Sequence, residues 1–102
     1  MRKDFRTFNL AVTFYHLTES VPVTGDLKDQ LRRAAASIAL NLAEGSGRAS
    51  KKEQKRFFTI AFGSLRECQA VLDLCRTAST EVIECADKLA AHLYKLIRSI
   101  CV

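Results

Sequence analysis

Apolar positions along this chain fall into four helical stretches, and no alternating strand pattern competes with them. The first runs from about Asp4 to Glu19, with Phe5, Phe8, Val12 and Tyr15 on one stripe. Leu10, Phe14 and Leu17 widen that stripe and predict burial on more than one side. Val21-Pro22-Val23-Thr24-Gly25 then breaks the pattern, because Pro22 and Gly25 both oppose a continuing helix. A second helix is predicted from Asp26, as N-cap, to about Glu44. In it Leu27, Leu31, Ala35, Ile38 and Leu42 repeat at four and three, the spacing of a bundle seam. Ala34, Ala35, Ala36 and Ala39 are small enough for a neighbouring helix to approach closely. Gly45-Ser46-Gly47 ends the helix, with Gly45 suited to a left-handed cap.

Ser50-Lys51-Lys52-Glu53 reads as a capping box opening the third helix. Phe57, Ala61, Leu65, Cys68, Leu72 and Cys75 carry its seam until about Thr77. Gly63 interrupts it at a cost of ~1 kcal/mol relative to alanine, and close helix packing is the expected reason. Ser79 or Thr80 caps the fourth helix, and Glu81 and Glu84 in its first turn suit the macrodipole. Val82, Ala86, Leu89, Leu93, Leu96 and Ile100 form its seam. Short connections make neighbours antiparallel, so residues 1–102 are expected to form one all-α domain, an antiparallel up-down-up-down four-helix bundle.

Composition agrees: 102 residues fit one domain, and a hydrophobic share of 48% supports a core. A bundle this thin leaves apolar surface on its flanks, which favours oligomerisation. No apolar run approaches the ~18 residues of a membrane span, and the N-terminus has no apolar core of a signal peptide. Cys68, Cys75, Cys85 and Cys101 include no C-x-x-C pair and sit at heptad-like spacing. They are expected to be buried free thiols rather than zinc ligands, with neither metal nor cofactor, in the reducing cytoplasm.

Charge changes the picture most. Between residues 28 and 56 stand eight Lys/Arg (Lys28, Arg32, Arg33, Arg48, Lys51, Lys52, Lys55, Arg56) against three acids, while both flanks balance. A local excess of this kind predicts either a phosphate-binding surface or a solvated face whose arginines pair with a neighbouring subunit. Phe57 and Phe58 adjoin it, but at least one belongs to the core seam, so base stacking on them is a weak expectation. Arg48, Lys51 and Lys52 also surround the start of the third helix, whose free N–H groups suit an anion. Gly45-x-Gly47 lacks the Gly-Lys-Ser/Thr ending and preceding strand of a phosphate loop.

A second constellation is polar. Ser37, Asn41 and Glu44 project from the second helix, and Ser64 and Glu67 can approach them from the third. An enzyme would use Glu44 as base and Ser37 or Ser64 as nucleophile. No histidine lies in this stretch, and His16 and His92 have no acid–base companion at a recognised spacing. A hydrogen-bonded network that sets helix register is the better reading, and no catalytic residue is expected.

The run Gln30 to Ala34, Ser37-Ile38, Asn41, Ala43 to Gly45, Gly47-Arg48, Ser50-Lys51 and Ala61 to Glu67 resembles the bacterial 23S rRNA intervening-sequence proteins. That four-helix-bundle family includes the accessory variability determinant proteins of diversity-generating retroelements. The resemblance covers roughly residues 5 to 76. This chain departs from the pattern in having Ala39 where a helix-two proline is common, a short segment between Pro22 and Gln30, and Val12-Thr13-Phe14 where a tryptophan is usual. The resemblance implies a non-enzymatic bundle assembling into a homopentameric ring with a basic surface. Retroelement members bind nucleic acid and act beside a reverse transcriptase. RNA or DNA is therefore the first expected partner, and an enzyme recruited to a scaffold the second.

Overall fold

The structure, a computed structural model, describes residues 5–101. Four helices form: α1 (Arg6–Thr18), α2 (Gly25–Ser46), α3 (Lys51–Cys75) and α4 (Thr80–Arg98), with no strand among the described residues. Each packs against two neighbours, in the cyclic order α1, α2, α3, α4, and the diagonal pairs do not meet. On α2 and α3, Ser37 meets Ser64 while Gly45 lies against Phe58, so numbers rise on one helix as they fall on the other. Thr77 donates to the Pro22 carbonyl at 3.1 Å, tying the α3–α4 connection to the α1–α2 connection at one end. The α2–α3 turn therefore lies at the other end, and Phe5 and Ile100 border a cavity with Gly47 there.

The seams of α2, α3 and α4 are buried through most of their length, while Leu27, Phe57, Cys75 and Leu96 toward their ends are half-buried and Phe58, not Phe57, enters the core. Leu31, Ala35, Ile38 and Leu42 are buried, as are Ala61, Leu65, Cys68 and Leu72, then Val82, Ala86, Leu89 and Leu93. Burying one such leucine or isoleucine is worth ~1.5–3 kcal/mol, so the shared seam is the main source of stability. Ser50 accepts from the Glu53 amide at 3.1 Å, and Ser79 from the Val82 amide at 3.4 Å, the expected helix caps.

Four local expectations are corrected. In α1 the buried positions are Thr7, Ala11, Phe14 and Thr18, one step around from the expected stripe, and Phe5, Phe8, Val12 and Tyr15 are half-buried. Thr18 tolerates burial because its hydroxyl donates to the Tyr15 carbonyl at 2.6 Å. The expected start of α1 at Asp4 lies outside the described residues. At α2, Thr24 occupies the N-cap and Gly25 is the first helical residue with φ +64°, so Asp26 belongs to the first turn. Gly45 is no left-handed cap: it is helical and buried, and a Cβ there would stand 2.7 Å from Phe58 Cε1. Gly63 is the reverse, exposed, with no atom within 4 Å of an added Cβ, so close packing within the bundle does not explain it.

The cysteines also divide. Only Cys68 is fully buried, Cys75 and Cys85 are half-buried, and Cys101 is exposed; all four are free thiols. Burial, with Glu67 adding repulsion, pushes the Cys68 thiol up to about 12. Burial also raises Cys85, with Lys88 opposing it. No cluster of three potential metal ligands occurs among the described residues, and no helix there is long and apolar enough to cross a membrane.

Candidate nucleic-acid interface

Antiparallel packing redistributes the charge. The Ser37–Ser64 pair marks the middle of the bundle. On the α2–α3 turn side stand Arg6, Arg48, Lys51, Lys52, Lys55, Arg56, Lys95 and Arg98, opposed by Glu44 and Glu53 among the described residues. On the far side six Lys/Arg meet eight carboxylates. The molecule is therefore polarised along its axis, with one basic pole.

Lys28, Arg32 and Arg33 do not join that pole. Arg32 is sixteen residues before Arg48 on the same side of the chain, ~24 Å along a helix. Lys28 and Arg32 share a shallow groove with Tyr15 and Glu19 at the Pro22 end. Arg33 is exposed on α2. The eight residues of the sequence cluster thus split into three at one end and five at the other. Conversely, Arg6, Lys95 and Arg98 join the basic pole although they stand far from the cluster in the chain. In such a bundle the start of the first helix and the end of the last meet the central turn, and that topology was the signal for including them.

Within the pole, the sequence also organises single side chains. Arg48 reaches back one turn to Glu44 at 2.7 Å, and Arg56 lies 4.0 Å from Glu53. Both pairs are solvent-exposed and contribute well under ~1 kcal/mol each. The guanidiniums of Arg48 and Arg56 also stand over the Phe57 ring, 4.9 and 5.0 Å from its centroid. Phe57 is half-buried and Phe58 is the core residue. With two cations over it, Phe57 orients arginines rather than offering a bare face to a base. Gln54 donates to the Arg48 carbonyl at 3.1 Å, which braces the turn from the first coil of α3.

The polar constellation contracts to three residues. Ser37 and Ser64 hydroxyls lie 2.8 Å apart across the α2–α3 seam. The Asn41 amide donates to the Ser37 carbonyl at 2.9 Å and to its hydroxyl at 3.0 Å. Glu44 and Glu67 stand outside this network: Glu44 is on the surface with Arg48, and Glu67 is exposed. The hydroxyls bond to each other and to an amide, not to a carboxylate or imidazole, so no nucleophile–base pair is assembled. What the three residues do is fix the relative height of α2 and α3.

A family model described as 23S rRNA-intervening sequence protein matches residues 5–101. The chain belongs to that family. The match extends the sequence resemblance from α1–α3 through α4, so the whole four-helix unit is the family's shared object. Its members are small helical proteins, and both the Ser37–Ser64 register pair and the basic turn lie inside the matched region. No curated protein matches the chain.

Proposed function

We propose that this member of the intervening-sequence family is a non-enzymatic cytoplasmic protein that binds RNA or DNA electrostatically. Its contact surface is the pole built by the α2–α3 turn, with Arg48, Lys51, Lys52, Lys55 and Arg56 as phosphate partners. Lys28, Arg32 and Arg33 extend the reach of a long ligand along α2. The observation that carries this reading is the uneven division of charge along the bundle axis, eight Lys/Arg against two Glu at one end among the described residues. A polyanion is attracted end-on, and each phosphate neutralised releases counterions.

Oligomerisation accompanies the reading. Ile60, Gly63, Ala70 and Leu74 form a stripe on the outward side of α3, spaced at three, seven and four, and every one is exposed. Leu40 on α2 is 68% exposed. Such a strip suits a second subunit, and copies in a pentameric ring would present several basic poles together. The same strip favours the second reading, a scaffold that recruits an enzyme such as a reverse transcriptase of a retroelement.

The test is a salt titration of binding to generic RNA and DNA. The logarithm of affinity is expected to fall linearly with the logarithm of salt, and Arg48→Ala/Lys52→Ala to lower the slope by ~1–2. No binding at ~50 mM salt leaves the scaffold as the surviving reading.

A further inference from the structure

The basic pole is not a smooth cap. A cavity of about 920 Å3 opens there, between the start of α1, the α2–α3 turn and the end of α4. Phe5, Phe58, Leu96 and Ile100 supply its apolar lining, and Lys51 and Gln54 supply polar groups. Phe5 is held by two rings, Phe8 stacked at 6.4 Å and Phe58 edge-on at 6.3 Å. An apolar, aromatic-lined space of this size is in the range used for small-molecule sites, ~300–1,000 Å3.

We infer that this cavity receives an unpaired base of a single-stranded nucleic acid whose phosphates lie on the surrounding cations. The inference rests on the nucleic-acid reading above and narrows it to a class of strand. Three observations select the occupant. A plain apolar ligand would leave Lys51 and the charged pole beside it unused, whereas a nucleotide carries a flat apolar face and an anion on one unit. Lys51 lines the cavity and belongs to the charged turn, so one ammonium serves both parts of the ligand. Gln54 donates one amide N–H to the Arg48 carbonyl, and its second N–H and side-chain oxygen remain for a base edge. A base inside a duplex is stacked on both sides and cannot enter, so the cavity discriminates strands where charge alone does not.

Four ligands of equal length separate the possibilities: single-stranded RNA, single-stranded DNA, a duplex, and a strand of abasic sites, each of about eight nucleotides. The single strands are expected to bind at least about tenfold more tightly than the abasic strand at the same salt. An aminopurine placed in the strand should change its fluorescence on binding. Ser99→Trp, at an exposed position on the rim, fills the cavity without replacing a core residue. It should remove the base-dependent gain and the fluorescence change while leaving the salt slope intact. Phe5→Leu should weaken the gain in part, with a thermal melt to confirm folding. Equal affinity for single, duplex and abasic strands, unchanged in Ser99→Trp, overturns the cavity inference and leaves the electrostatic one standing. Absence of binding by every ligand at low salt overturns both. A difference between the RNA and DNA arms identifies which strand the pole prefers.

Discussion

The two ends of this bundle differ in connection and in charge. One gathers the α1–α2 and α3–α4 connections, joined by the Thr77–Pro22 hydrogen bond, and the other the α2–α3 turn with the start of α1 and the end of α4. At the first end, acids outnumber bases and lie among them, so fields cancel within a Debye length of ~10 Å. At the second, eight bases face two acids among the described residues and reinforce one another. The difference teaches that charge must be counted by height in the fold. Counted along the chain, Lys28 and Lys52 belong to one cluster, yet in space they belong to opposite poles.

The strongest way to break this comparison is to reverse charges at each pole in turn. Lys51→Glu/Lys52→Glu should weaken nucleic-acid binding by ~100-fold or more at moderate salt, read by fluorescence anisotropy. Lys28→Glu/Arg32→Glu should cost only a few-fold. Equal losses would mean that the long α2 face, not the pole, carries the contact.

A smaller effect separates the two interior glycines. Gly45→Val forces a side chain against the Phe58 ring and the Phe57 Cβ, so the ring must shift toward the cavity it borders, and should cost ~1–3 kcal/mol by chemical denaturation. Gly63→Ala should gain ~0.5–1 kcal/mol in the isolated subunit, through helix propensity alone. If Gly63→Ala instead shifts the solution mass toward monomer, the outward strip of α3 is a subunit contact.

The mildest test concerns Cys68. Its thiol has a higher pKa folded than unfolded, so the neutral form is favoured by folding. Its contribution is complete below the unfolded value of 9.0 and declines as pH rises toward about 12. Stability measured against pH should therefore fall more steeply across that window in the native chain than in Cys68→Ala. A thiol reagent at neutral pH should label exposed Cys101 first and Cys68 only on unfolding.

The legible parts of the molecule were those with a local cause. Heptad spacing in α2, α3 and α4 leads directly to the buried seams, because side-chain direction follows helical period. Ser50 and Ser79 cap because a short hydroxyl before a helix has one good use. α1 was read one step off its true face, since its aromatic residues carry more apolar weight than Thr7, Ala11 and Thr18, which the neighbours actually cover. Gly63 was given the close packing that belongs to Gly45, and Gly45 a left-handed cap that neither residue makes. A glycine's local options are the same everywhere, and only the presence or absence of Phe58 overhead distinguishes them. Likewise Ser37, Asn41 and Ser64 were legible as a polar group, while the exclusion of Glu44 depended on Arg48 being one turn away.

By itself the amino-acid sequence determined the class of fold, the four helices, the Ser50 and Ser79 caps and most of the buried faces. These follow from period, propensity and the short reach of a cap. Tertiary structure decided which charges act together, which glycine is crowded, and where a cavity opens. Those depend on distances between residues far apart in the chain. Coulomb attraction and steric contact act through space, and the bundle's topology sets that space.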